Sequence, residues 1–210
     1  MIGGGHAGAE AAWAACQMLR DRWDATAGRE GRVALVTLDP ARSGQMSCNP
    51  AIGGLAKGQM VREIDALGGL MGLAADATGI QFRMLNQSKG PAVRGPRCQS
   101  DKYRYAREVQ RLLSTRPNLR IIQGRVEDFI LENGQCAGVW ASVTGGDANN
   151  EQTAVGTPGE TIALKADAVV LTTGTFMRGL MHTGQTQTEG GRVGEGSAKG
   201  ISGCLQRLGF

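Results

Sequence analysis

A Rossmann-like α/β fold is what this sequence predicts, and three observations predict it. The chain opens with Gly3-Gly4-Gly5-His6-Ala7-Gly8, a Gly-x-Gly-x-x-Gly run at positions 3, 5 and 8. Behind it, apolar residues at 9, 12, 13, 16 and 19 keep helical spacing. Residues 32–38 then form a short apolar run suited to a buried parallel strand. Strand, glycine turn, helix and strand make one βαβ unit, expected to cross over right-handed, and the class is Rossmann-like.

The three glycines answer to different needs. Gly3 permits the tight turn, Gly5 lets a pyrophosphate approach the backbone, and Gly8 lets the helix pack closely on the sheet. Free N–H groups at the helix start, with the helix dipole behind them, hold an anion, so a nucleotide cofactor is expected over residues 3–8. The His6 ring is expected to pack beside it and not to act as a base. A buried first strand needs about five or six residues, but only Met1 and Ile2 precede the glycines. The sheet is therefore expected to lack most of its central strand. Asp39, just past the second strand, is a candidate for a ribose hydroxyl, while Asp39-Pro40 reads equally as a turn.

Composition narrows the class. The 33 glycines follow no Gly-x-y period, which excludes collagen. Five cysteines (16, 48, 98, 136, 204) include no Cys-x-x-Cys pair, and the two histidines lie far apart. That usage fits reduced thiols in a cytoplasmic protein, with no disulfide frame and no zinc site. No apolar run reaches the ~20 residues of a membrane span, and no signal-type segment opens the chain.

The remaining elements follow in order. Residues 40–58 read as a long Gly/Ser/Asn/Pro loop, and 57–67 as a helix with Met60, Val61, Ile64 and Leu67 on one face. A strand fits 80–85 and a helix 99–113. Residues 119–122 and 126–131 are strand-like, with 135–143 returning antiparallel after the Asn133-Gly134 turn. Residues 144–160 form a polar tip, 166–173 a buried strand running into Gly174, and 183–203 a polar, Gly-rich stretch before a short ending at 204–210. The whole reads as one domain over 1–210, incomplete at both ends, with a β-rich hairpin excursion.

Two features carry chemistry. Cys48 sits in the polar Ser47-Cys48-Asn49-Pro50 loop, where a thiolate is a strong nucleophile if a cation or helix N-terminus lowers its pKa; a packed free thiol is the alternative. Cys16 and Cys136 are expected to be packing residues, and Cys98 and Cys204 stay open. Between Arg83 and Arg111 lie eight basic residues opposed only by Asp101 and Glu108, a local +6 in a chain of +4. Such concentration is the footprint of phosphate contacts, and Tyr103 and Tyr105 inside it could stack on bases. A solvated helix face accounts for Arg104, Arg107 and Arg111. It does not account for the Gly/Pro-pinned loop carrying Lys89, Arg94 and Arg97, with Lys102 just beyond.

Five blocks of the chain resemble the GidA/MnmG family in sequence and order. They are residues 3–8, Gly44-Gln45-Met46-Ser47-Cys48-Asn49-Pro50-Ala51-Ile52-Gly53-Gly54, Arg62-Glu63-Ile64-Asp65-Ala66-Leu67-Gly68-Gly69, Lys89-Gly90-Pro91-Ala92-Val93-Arg94 and Leu171-Thr172-Thr173-Gly174-Thr175-Phe176. The Met-Ser-Cys-Asn-Pro and Lys-Gly-Pro-Ala blocks are the specific ones. The resemblance implies a glutathione-reductase-like FAD-binding domain in a homodimer. It implies an enzyme that works with the GTPase MnmE to install a 5-carboxymethylaminomethyl-type group on the wobble uridine of tRNA. Methylenetetrahydrofolate would supply the one-carbon unit, glycine or ammonium the amine, and NADH the reducing electrons.

By the same resemblance, Gly3, Gly4, Gly5, His6, Ala7 and Gly8 cradle the FAD pyrophosphate, and Val126, Gly174 and Ser197 match further FAD-contact positions. Cys48 matches the cysteine implicated in catalysis, and Lys89, Arg94, Arg97 and Lys102 would lie near tRNA. The sequence departs from the family at Gly194-Glu195-Gly196-Ser197-Ala198, where Gly-Asp-x-x-Ser is usual. The inserted NAD domain and the C-terminal helical domain would lie beyond Phe210, so the 210-residue chain alone is expected to be inactive. Three alternatives stay open: a folate- and FAD-dependent tRNA uridine C5-methyltransferase, a non-catalytic truncated remnant, and a small-molecule flavin oxidoreductase with no use for the basic segment.

Overall fold

The structure, a computed structural model, describes residues 1–20, 23–24, 29–47, 49–54, 57–147, 157–175, 177–190 and 200–210. Elements run α1 (His6–Leu19), β1 (Trp23–Asp24), β2 (Arg29–Glu30), β3 (Val33–Thr37), β4 (Ala51–Gly53), α2 (Lys57–Ala66), α3 (Leu70–Thr78) and β5 (Gly79–Leu85). There follow β6 (Gly95–Ser100), α4 (Lys102–Ser114), β7 (Leu119–Glu132), β8 (Gln135–Asp147), β9 (Thr161–Lys165), β10 (Leu180–Thr183), β11 (Thr186–Glu189) and α5 (Gly200–Arg207). They sort into two compact units. The first holds Met1–Gly4, Ala34–Pro40 and Arg120–Phe210; the second holds Gly5–Val33 and Ala41–Leu119.

The first unit is a sheet in the order β3-β7-β8-β9. Ile2 bridges in parallel to Val36 on one side and to Leu171 on the other, with Gly3 N–H donating to the Val36 carbonyl at 2.8 Å and Thr172 N–H to the Ile2 carbonyl at 2.9 Å. Ile2 is the single bridged residue at that position. The same fact corrects the strand read at 166–173. That stretch makes a single bridge at Leu171, and Val170 is 40% exposed, because one residue of partner backbone cannot sustain a ladder.

The two strand-like runs at 119–131 are one strand, β7. It pairs antiparallel with β8 through three register shifts and closes on the Asn133-Gly134 turn. Asn133 and Gly134 have φ of 53° and 78°, the left-handed pair that a type I′ hairpin requires. Beneath lies an apolar core of Ile2, Val36, Ile122, Val126, Val139, Ala141, Val143 and Ile201. Cys136, read as a packing residue, is exposed. It stands two residues past the turn, where the strand runs beyond that core.

The second unit packs α1, α3 and α4 beside a three-stranded antiparallel sheet in the order β4-β6-β5. The expected face of α1 is buried through Ala9, Ala12, Trp13 and Cys16. Among these apolar neighbours the Cys16 thiol is pushed up to about 11, so it is a packing group. The Arg116 guanidinium lies 3.5 Å from the Trp13 ring centroid. Helix α3, which the sequence did not reveal, begins after Gly69 with no side-chain cap of its own. Glu10 on α1 supplies the cap by accepting from Leu70 N–H (2.6 Å) and Met71 N–H (3.0 Å).

The sequence placed the start of a helix at residue 99. Strand β6 instead runs to Ser100, and α4 starts after Asp101, whose carboxylate accepts from Tyr103 and Arg104 N–H. Helix α2 forms where expected, but Met60 and Leu67 are exposed and Gly58 is its buried residue. A Cβ on Gly58 would meet Pro96 Cδ at 2.9 Å, so α2 is seated by close backbone approach and not by an apolar stripe.

Candidate cofactor and nucleic-acid sites

The glycine run divides into two kinds of position. Gly3 has φ +102°, and a Cβ there would lie 2.6 Å from the Thr172 carbonyl oxygen, so the fold itself requires glycine. Gly5 is different. Its φ of −69° suits any residue, a Cβ would meet nothing within 4 Å, and as the N-cap of α1 it offers no side-chain cap. No acidic residue lies in the first turn of α1. Nothing in the fold requires glycine at position 5; an anion lying against the backbone would. That bare, open helix start fits the pyrophosphate of a dinucleotide. Gly8 is buried within α1.

His6 stacks on Tyr105 within the second unit, with ring centroids 5.7 Å apart at 29°. Tyr105 is fully buried, and burial raises its hydroxyl well above the ordinary tyrosine range. This corrects the pairing of Tyr103 with Tyr105 as base-stacking residues. Two positions on a helix are about 200° apart; Tyr103, 70% exposed, is the available ring and lies 4.9 Å under the Lys102 ammonium.

The other expected cofactor positions fall in the first unit or outside the described residues. Val126 is in β7 with its side chain in the core and its backbone paired opposite Ala141 of β8. Gly174 has φ +58° and open space around it. Ser197 lies in the stretch 191–199, and it and Cys48 are outside the described residues. The loop that carries Cys48 is anchored on both sides. Gln110 Nε2 on α4 donates to the carbonyls of Ala41 (2.7 Å) and Ser43 (3.2 Å), and Gly44 packs over Val109 so tightly that a Cβ would meet its side chain at 2.6 Å. Beyond, Ala51–Gly53 pairs with β6. Cys98 and Cys204, left open by the sequence, are buried. Among the described residues no group of three His, Cys, Asp or Glu could hold a metal ion, and no helix is long and apolar enough to cross a membrane.

The basic segment separates into two elements. On α4, Arg104, Arg107 and Arg111 are exposed as a solvated stripe, and Arg111 is engaged by Glu108 at 2.7 Å. The rest is a hairpin, β5 and β6, whose nine-residue tip contains two short 3-10 turns, Gln87–Lys89 and Pro91–Val93. Asn86 Nδ2 donates to the Val93 carbonyl (3.2 Å) and Arg94 Nε to the Gln87 carbonyl (3.1 Å), bracing the tip. Lys89 and Arg94 are exposed there, and Arg97 is half-buried on β6. Lys102 belongs to the α4 start, not to the hairpin. Arg83, at the start of the basic segment, stands directly opposite Arg97. Foreseeing that pair required knowing that residues 95–100 form a strand.

The family described as glucose inhibited division protein A matches residues 1–210. The tRNA uridine 5-carboxymethylaminomethyl modification enzyme MnmG of Rhodopirellula baltica is 48% identical over 212 residues, a match covering 100% of this chain and 29% of that protein. The enzyme of the same name from Granulibacter bethesdensis is 49% identical over 209 residues, covering 99% of this chain and 29% of that one. The structure of Aquifex aeolicus GidA superposes with a TM-score of 0.80 at 44% identity, over 100% of this chain and 30% of that one. A GidA-related protein from Thermus thermophilus shares the fold alone, with a TM-score of 0.56 at 18% identity over 100% of this chain and 67% of that one. The chain spans about 29% of the length of the curated relatives it matches. It belongs to the GidA family.

Proposed function

We propose, from that membership, that the chain is the N-terminal part of an FAD-dependent tRNA modification enzyme. That enzyme installs a 5-carboxymethylaminomethyl-type group on the wobble uridine, together with the GTPase MnmE. The observation that carries the reading is the family match over all 210 residues; the open start of α1 and the basic β5–β6 hairpin support it. Gly5 to Gly8 would hold the FAD pyrophosphate through N–H groups that α1 cannot satisfy internally. FAD, when bound, supplies redox capacity for the one-carbon transfer; NADH is the reductant and methylenetetrahydrofolate the donor. Carbon 5 of uracil becomes nucleophilic only when something adds at carbon 6. The Cys48 thiolate is the proposed nucleophile: it forms the S–C6 bond and is expelled when the C5 proton leaves. The enzyme works as a homodimer in the cytoplasm, and the 210-residue chain alone does not turn over.

The deciding measurement is mass spectrometry of tRNA nucleosides from cells with and without the gene. Loss of the carboxymethylaminomethyl-type uridine is expected. Loss of 5-methyluridine instead would transfer the assignment to the methyltransferase, and no change would mark a remnant. The cofactor reading has its own test in Gly5→Asp. The new carboxylate would cap α1 and stabilise the free protein by about 0.3 kcal/mol while expelling the pyrophosphate. A higher melting temperature with loss of bound flavin absorption is expected; retained flavin would sink the assignment.

A further inference from the structure

We propose that Arg83 and Arg97 form a single phosphate clamp on the open face of the β5–β6 hairpin, a contact for the nucleic-acid backbone that rests on the tRNA reading above. The register pairs Arg83 with Arg97 directly, so both side chains leave the same face of the sheet. Directly opposed residues have Cβ atoms about 4.5–5.5 Å apart, and like charges in that relation repel. Among the described residues neither arginine has an ion-pair partner within 4.0 Å, and no Asp or Glu occurs anywhere from Gly79 to Ser100. An unrelieved arginine pair is an anomaly for a sheet built only to fold. An anion seated between the two guanidinium forks removes it.

The surroundings point the same way. On the β4 side Arg97 is flanked by Gly53, its register partner, and a Cβ on Gly54 would find only Arg97 Cδ, at 3.9 Å. Bare backbone there leaves the pair approachable. Gln81 and Gln99 oppose one another two residues along on the same face, offering amide donors. In the other direction the strip continues past Leu85 and Gly95 to Lys89 and Arg94 at the tip. A line of cations and amides without a carboxylate suits a backbone of repeating phosphates, not a mixed protein surface.

The test uses the protein purified at its native length, with Arg83→Gln, Arg97→Gln and the double variant. Both positions lie outside the buried core, so the variants fold, which circular dichroism verifies. Unmodified tRNA is titrated over a range of salt concentrations. Each single variant is expected to lower the slope of log K against log salt by the about 0.7–0.9 that one phosphate contributes, and the double variant by no more. Without tRNA, Arg83→Gln is expected to melt higher than wild type at low salt and equally at high salt. Slopes that add in the double variant would show two independent charges and overturn the clamp. Unchanged slopes, with wild type still binding tRNA, would overturn it and leave the enzyme assignment standing. Wild type failing to bind tRNA at all would overturn both.

Discussion

The β7–β8 hairpin of the first unit and the β5–β6 hairpin of the second treat charge in opposite ways. The β7–β8 hairpin has long arms, a two-residue turn and one face on the core, and three of its carboxylates are paired. Glu132 meets Lys165, Arg125 meets Glu127 at 2.7 Å, and Asp128 takes Arg207 of α5 at 2.6 Å. The β5–β6 hairpin has a nine-residue tip and four cations with no carboxylate in its length. Its apolar side chains are also poorly covered: Ile80 is 64% and Phe82 60% exposed. A hairpin that only holds a fold together balances its own charges. One that leaves them unbalanced gives up stability in the free protein, which fits a surface shaped for a partner.

Backbone substitution tests this difference most severely. Gly138 in β8 has φ +142°, and a Cβ would sit 2.2 Å from the Leu164 carbonyl oxygen, whereas Gly90 at the other tip has φ +98° with open space. Gly138→Ala is expected to destabilise by about 3 kcal/mol, and Gly90→Ala by about 1 kcal/mol, from conformational strain alone. Denaturant unfolding checks both; equal losses would erase the distinction.

Charge substitution should invert the order. Lys89→Gln is expected to leave stability within about 0.5 kcal/mol and to reduce the salt slope of tRNA binding. Lys165→Gln should lower stability by about 0.2–1 kcal/mol and leave tRNA affinity alone. A tRNA effect from Lys165→Gln would mean that the paired hairpin is also a binding surface.

The smallest effect is on acid stability. The Asp128 carboxyl is held below the ordinary carboxylate range, first by a hydrogen bond from the Cys204 thiol, then by the Phe129 N–H and by Arg207. A depressed folded value means that its contribution is full above the unfolded value and fades as pH falls through the folded one. Asp128→Asn should therefore weaken the first unit at neutral pH and converge with wild type in strong acid. Amide exchange in β5–β6, which has no carboxylate, should show no matching dependence on Asp128.

Much of this was legible because it is local. The α1 face follows from a 3.6-residue period, and the β7–β8 turn from an Asn-Gly dipeptide. Tyr103 and Tyr105 could have been separated too, since positions two apart on a helix face opposite sides. Helix α3 was not legible, because its cap comes from Glu10, sixty residues earlier. Strand β6 was missed because Gln99 and Ser100 suit a helix start as well as a strand end, and the choice fell to pairing with Ala51 and Gln81.

By itself the sequence determined the βαβ opening and the density of positive charge at 83–111. Each of these depends on neighbours within a few residues. Tertiary structure alone decided which glycine serves the fold and which stands open to a ligand, because the carbonyl that crowds Gly3 belongs to Thr172. It likewise decided that Arg83 and Arg97 are neighbours. Strand register brings residues fourteen apart to within a side chain's reach, and register is set by pairing across the sheet, not by the residues of either strand alone.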